Sequence, residues 1–127
     1  MTDITFHGGV NDIGGNKFLV ESKDTKVFMD FGMSFSQEGQ FFSQFLNART
    51  SNSLNDLFEL GILPKIKGLY RRDYAKHMDF GGTEDNEIDA ILLTHAHVDH
   101  CAYIPYLRPD IPIYCSEESK LIMQNFD

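Results

Sequence analysis

Cysteine is scarce in this chain of 127 residues, and the two present, Cys101 and Cys115, are too few for a disulfide framework. A reducing compartment would leave both as free thiols. Long apolar runs are also missing: nothing approaches the ~20 residues of a membrane-spanning helix. The opening residues, Met1 to Gly9, have neither a basic lead nor an apolar centre, so they lack the marks of a secretory signal. A cytoplasmic location with no membrane partner is the resulting expectation. No internal repeat or low-complexity tract is present. Basic residues are few, 11 against 19 acidic, giving a net charge of −8. That balance at first sight disfavours a nucleic-acid partner, because phosphate backbones repel anionic surfaces. What is present, 42% apolar and 24% charged residues, is ordinary for a folded domain with a packed core.

The histidines are few but concentrated. Three of the five fall in Thr94-His95-Ala96-His97-Val98-Asp99-His100, directly after the apolar run Ile88 to Leu93. If residues 88–94 form a buried strand, side chains two apart point the same way, so His95 and His97 leave its end together and grip one ion. Asp99 and His100 then lie in the following turn, aimed at a second ion. Imidazole and carboxylate suit zinc, with manganese or iron as alternatives, and none of these ligands requires redox chemistry. Two such ions activate water and clamp the oxygens of a scissile group, so the implied reaction is hydrolysis. An accidental surface cluster of histidines is the bland alternative, and this density of ligands within one hexapeptide argues against it.

The string His95-Ala96-His97-Val98-Asp99-His100 resembles the H-x-H-x-D-H signature of the metallo-β-lactamase fold, in its required place after an apolar strand. The resemblance implies an α/β architecture (α+β by some schemes), an αββα sandwich in which a mixed β-sheet is flanked by helices. It implies that His95 and His97 ligate one metal and Asp99 and His100 the other, with Asp99 also orienting or deprotonating the attacking water. Residues 4–16, Ile-Thr-Phe-His-Gly-Gly-Val-Asn-Asp-Ile-Gly-Gly-Asn, look like the opening of the RNA-processing branch, the ribonuclease J-like and β-CASP nucleases. The chain departs from that branch's glycine-rich pattern at Asn11 and Asp12, where Asn still tolerates the left-handed backbone glycine would supply. Val27 to Gly32 resembles the strand that ends in an outer-shell Asp, which makes Asp30 the candidate brace of the metal-site loop; an ordinary strand-end turn is its bland reading.

By the same resemblance, a complete sandwich is longer than 127 residues and takes further ligands from later in its sequence. No histidine follows His100, and His7 and His77 sit in no matching motif. The expectation is a single incomplete domain over residues 1–127, the N-terminal half of the fold, with an inserted helical and basic segment at about 33–87. Alone it should be inactive, with an unpaired apolar sheet face that drives self-association or pairing with the missing half.

Within the inserted segment, Phe41, Phe42, Phe45 and Leu46, then Leu54, Leu57, Phe58 and Leu60, have helical spacing. Asn52 or Ser53 would cap the second helix, and Gly61 with Pro64 would end it. A basic loop follows, with Lys65, Lys67, Arg71, Arg72 and Lys76 interleaved by Tyr70 and Tyr74. It is a candidate strip for phosphate and base contact, against the plain alternative of a solvated loop. The remaining elements read as strands 3–7, 16–22, 26–31 and 111–115, a short helix begun by Pro105, and a final helix over 116–126 capped by Ser116. Gly8, Gly9, Gly14 and Gly15 fit a tight turn between paired strands better than a phosphate cradle. Tyr103 is placed to narrow the pocket, and Cys101 to pack rather than ligate.

The function these features imply is that of a dinuclear metal-dependent RNA phosphodiesterase. Two alternatives stand beside it: a hydrolase of small esters, thioesters or lactams with the same signature, and a non-catalytic metal-binding or assembly chain.

Overall fold

The computed structural model describes residues 1–41, 54–75 and 87–125. Three strands near the start are rich in β-branched and aromatic residues, which suit a pleated surface. They are β1 (Thr2–Gly8), β2 (Lys17–Ser22) and β3 (Thr25–Met29), paired antiparallel in succession. β4 (Ala90–Leu92) and β5 (Ile113–Tyr114) join in parallel, so the sheet is mixed, in the order β1-β2-β3-β4-β5. Parallel neighbours need crossover connections. The first holds α1 (Phe35–Phe41), α2 (Asn55–Glu59) and α3 (Arg72–Ala75). The second holds α4 (Val98–Cys101) and a 3-10 turn, Ile104–Tyr106, and α5 (Glu117–Gln124) follows β5. A mixed sheet flanked by helices is the architecture expected from the motifs. Among the described residues no helix is long and apolar enough to cross a membrane.

One sheet face carries the core. Leu19, Phe28 and Ile91 lie side by side across β2, β3 and β4 and are buried with Leu57, Phe58 and Leu69 from the first crossover. Phe31, fully buried, meets Phe28 edge-on at 5.3 Å and Tyr70 at 6.3 Å. Those ring contacts tie the sheet to the first crossover.

Several boundaries differ from the sequence reading, each for a local reason. β3 stops at Met29 because Asp30 takes a left-handed backbone, φ 61°. β4 covers 90–92 rather than 88–94, although Leu93 N–H still reaches Tyr114 C=O at 2.9 Å. α1 begins at Phe35, ahead of the expected range, because Ser34 Oγ accepts from Gln37 N–H at 3.3 Å and so caps it. The residues 42–53 and 76–86, which include Phe42, Phe45, Leu46, Asn52, Ser53, Lys76 and His77, lie outside the described residues. α2 starts with Leu54 at its cap position and no side-chain cap, not with Asn52 or Ser53. It ends as expected at Gly61, whose φ of 73° lets Gly61 N–H reach Phe58 C=O and Ile62 N–H reach Leu57 C=O. Residues 72–75 form a helical turn where a loop was expected. Pro105 sits in the first turn of the 3-10 segment, and Ser116 Oγ caps α5 by accepting from Ser119 N–H at 3.1 Å.

Candidate metal centre

The ligand-bearing segment sits where β4 ends and α4 begins, beyond the carboxyl end of a parallel strand. Its second half is helical rather than a turn: His97 holds the cap position in extended backbone, and Asp99 and His100 fall in the first turn of α4. A carboxylate there is favoured by the free amides of a helix start. One potential ligand atom from each of His95, Asp99 and His100 lies within 4.8 Å of the others. The His95 and His100 rings are 4.0 Å apart, and Asp99 Oδ2 is 3.4 Å from His100 Nε2. His97 is exposed and outside this trio, with its ring 4.7 Å from that of His95. The geometry therefore groups His95 with Asp99 and His100, whereas alternation along a strand paired it with His97. The strand ends at Leu92, so no pleat governs the two histidines.

Asp30 anchors the trio from beneath. It is buried, and its carboxylate accepts from Thr94 N–H at 2.8 Å and from Thr94 Oγ1 at 2.9 Å, and lies 2.7 Å from His100 Nδ1. This contact makes Nδ1 the protonated nitrogen of His100 and leaves Nε2, on the Asp99 side, with a lone pair for a cation. The left-handed backbone of Asp30 costs on the order of 1 kcal/mol for a non-glycine residue. Glycine would avoid that cost but would remove the brace. Asn16 Nδ2 approaches the same His100 nitrogen at 3.3 Å, and Thr94 Oγ1 stands 3.1 Å from His95 Nδ1. Sequence reasoning missed both residues; a polar residue closing an apolar strand, as Thr94 does, was the available signal.

The glycine-rich segment is not a tight turn but an eight-residue connection, 9–16, folded back onto α4. Gly15 N–H is shared between Met33 C=O at 2.9 Å and Asp99 C=O at 3.1 Å. A Cβ on Gly14 would come within 2.6 Å of Asp99 Cβ, and one on Gly32 would overlap Asp99 C=O. Glycine is needed at both positions because backbone passes against backbone. Asn11 takes the left-handed backbone expected of it, φ 54°. Asp12, the other departure, accepts from Ser34 Oγ and, at 2.9 Å, from Ser36 Oγ. Those bonds hold its carboxyl below the usual range and tie the glycine segment to the start of α1.

Beneath this segment lies Lys17, 1% exposed. Its Nζ donates to Gly15 C=O at 3.3 Å and stands over the Phe31 and Tyr103 rings at 5.8 and 5.5 Å. Burial pushes this ammonium down to about 8, with the charge of Asp12 opposing. Burial, and then the Lys17 charge, likewise lowers His7, whose buried Nε2 has no hydrogen-bond partner among the described residues. His7 does not join the trio.

An open cleft of about 450 Å³ adjoins the trio, lined by Phe35, Ala96, His97, Val98 and Asp99. Tyr103 is not among its walls: it is buried, stacked on Tyr106 at 5.8 Å. Cys101 is buried too, its thiol pushed up first by burial and then by Asp30 and Asp99. Of the basic strip, Lys65, Lys67 and Arg72 are exposed. Arg71 pairs with Asp73 at 2.9 Å and covers Tyr74 at 4.9 Å. It lines a different pocket, with Arg108 and Ile113, that shares no wall with the histidine cleft. Tyr70 is a core residue that donates to Pro64 C=O, so it offers no ring for base stacking.

Two imidazoles and a carboxylate at this spacing, one imidazole fixed by an outer carboxylate, fit a divalent ion such as zinc. Residues 71–125 match the family model of the β-lactamase superfamily domain. Ribonuclease J of Helicobacter pylori is 31% identical over 127 residues, covering 98% of this chain and 14% of that protein. Transcription termination factor FttA of Methanocaldococcus jannaschii is 27% identical over 123 residues, covering 94% and 14%. A crystal structure of a protein of unknown function from Enterococcus faecalis V583 superposes with a TM-score of 0.71 at 32% identity, over 96% of this chain and 27% of that one. The chain thus spans about one seventh of the two curated relatives. With the motif, the sheet order and these similarities together, the chain has the metallo-β-lactamase fold and resembles the ribonuclease J branch of that superfamily.

Proposed function

We propose that this chain forms part of a metal-dependent hydrolase of RNA phosphodiesters, with His95, His97, Asp99 and His100 as its contribution to a site for two divalent ions. The observation that carries the reading is the Asp30–His100–Asp99 arrangement, which orients a ligand nitrogen toward a carboxylate before any ion binds. Ions held there, zinc by preference or manganese or iron, would supply Lewis acidity and acidify a water molecule for hydrolysis. His100 presents Nε2, held in one tautomer by Asp30, while Thr94 holds the approach of His95. The free oxygen of Asp99 can accept a hydrogen bond from the attacking water and take its proton. The similarity to ribonuclease J along nearly the whole chain supports RNA as the substrate class. Only three ligand residues gather among the described ones, which supports an incomplete site whose remaining ligands come from outside these residues.

A second reading, hydrolysis of a small ester, thioester or lactam, is favoured by the apolar side chains Phe35, Ala96 and Val98 around the cleft. The test is zinc binding by equilibrium dialysis, with RNA and a thioester offered as substrates both to this chain and to a longer product of the same reading frame. Zinc retained by the chain and lost in His100→Ala, with RNA cleaved by the longer product, is the expected result. Thioester turnover without RNA cleavage would select the second reading, and zinc binding indifferent to His100 would overturn both.

A further inference from the structure

Of the connection 9–16, only Gly14 and Gly15 are buried, and neither has a side chain, whereas Val10, Asn11 and Ile13 are exposed. A segment with three glycines and no buried apolar anchor keeps its place only through polar bonds, since much conformational freedom is lost in fixing it. One of those bonds comes from the sheet. Lys17 opens β2 opposite Gly8 of β1, and its ammonium donates to the buried Gly15 carbonyl at 3.3 Å. The groups around that ammonium all lead to α4. Gly15 N–H donates to Asp99 C=O at 3.1 Å, and Gly14 lies so close to Asp99 Cβ that no side chain fits between them. Phe31, whose ring centre is 5.8 Å from the ammonium, donates its N–H to His100 C=O at 2.9 Å. Tyr103, whose ring centre is 5.5 Å away, follows α4 in the chain and donates its N–H to Phe31 C=O at 3.1 Å. An apolar side chain would fill this space at less cost, because an ammonium is expensive to bury and Lys17 is 1% exposed. What methionine would lack is the donor for Gly15 C=O.

We propose that Lys17 is a positioning residue of the metal centre: it pins the glycine segment to the sheet and, through Gly15, fixes the backbone of Asp99. It acts through the segment it holds rather than on an ion. Without the ammonium, the buried Gly15 carbonyl loses this donor, an unfavourable state that the segment relieves by lifting toward water. Lifting breaks the bond from Gly15 N–H to Asp99 C=O and withdraws Gly14 from Asp99 Cβ. The Asp99 carboxylate is then no longer held on the Nε2 side of His100. The inference rests on the reading of Asp99 and His100 as metal ligands, but the tether itself is open to measurement in the metal-free chain.

Lys17→Met tests it, since the two side chains fill similar space and differ in the donor. In the metal-free chain, amide hydrogen exchange followed by NMR should be at least about tenfold faster at Gly15 in the variant. Ile91 N–H, bonded to Pro112 C=O, reports the sheet and should exchange no faster, because the variant has lost a buried charge rather than core packing. Zinc affinity in a competition titration should fall roughly five- to tenfold, with stability unchanged or higher. A lysine that served only the core would move Gly15 exchange, Ile91 exchange and overall stability together. Lys17→Gln keeps an N–H donor without the charge; it should fall between the two proteins, and it carries the test should Lys17→Met fail to fold. Gly15 exchange and zinc affinity both unchanged overturn the inference while the metal reading stands. So does faster exchange at Gly15 with zinc affinity unchanged, since the segment would then move without disturbing Asp99. A wild-type chain that binds no zinc is a different failure, that of the metal reading on which the inference rests.

Discussion

Replacing Lys17 by Met should remove a pH dependence of stability that the buried lysine imposes on the native chain. The native ammonium is buried, and its pKa falls from an ordinary 10.5 to about 8. Between those values the unfolded chain binds a proton that the native chain does not, so stability rises with pH across that window and is lowest below it. At 1.36 kcal/mol per unit, the full swing is about 3 kcal/mol. That figure is an upper bound, because the Gly15 carbonyl and the Phe31 and Tyr103 rings favour the charged form. Near neutral pH the variant sheds a desolvation cost that outweighs these contacts, so it should be the more stable of the two proteins there. Urea denaturation of both proteins at pH 7, 8.5 and 10 isolates the lysine, since every other titrating group is common to them. The wild type should gain on the order of 2 kcal/mol relative to Lys17→Met on going from pH 7 to 10. Parallel stability curves for the two proteins would refute the assignment of a buried, depressed ammonium at this position.

Asp30→Asn keeps a side chain that tolerates the left-handed backbone but removes the charge facing His100, so zinc affinity should fall by roughly ten- to a hundredfold in a competition titration; unchanged affinity would deny Asp30 its bracing role. Gly32→Ala drives a methyl group into the Asp99 carbonyl and should cost about 3 kcal/mol in urea unfolding, with the cost vanishing only if the segment between β3 and α1 can separate freely from α4. Ser116→Ala removes the cap of α5 and should lower stability by about 1 kcal/mol with little effect on zinc binding.

The parts legible in the sequence were those set by strong local patterns. The strands expected at 3–7 and 16–22 form the hairpin of β1 and β2, and the segment His95 to His100 brings three of its four candidate ligands together. Leu54, Leu57 and Phe58 proved to be core residues, as their helical spacing indicated. What was illegible depended on tertiary contact. The helical start at Val98 is fixed by where the chain must turn under the glycine segment, and no propensity in Val-Asp-His-Cys announces it. The exclusion of His97 from the trio reflects a strand that ends early, a boundary that sequence patterns locate poorly. Lys17 reads as a polar residue opening a strand, yet it is buried because the connection over it closes downward, and Tyr70 reads as a base-stacking ring yet fills the space beside Phe58. The basic strip illustrates the same limit, since clustering along the chain did not bring Arg71 to the cleft.

The bonds that organise the trio join residues far apart in sequence: Asp30 and His100 are separated by 70 positions, Asp30 and Thr94 by 64. The antiparallel strands close with short loops, whereas the brace forms only when β4 has been laid beside β3, at the greater entropic expense of a long loop. The brace is thus a strongly non-local part of the arrangement. In the proposed metal site, His100 would be held ready for an ion only once Asp30 has settled beneath it.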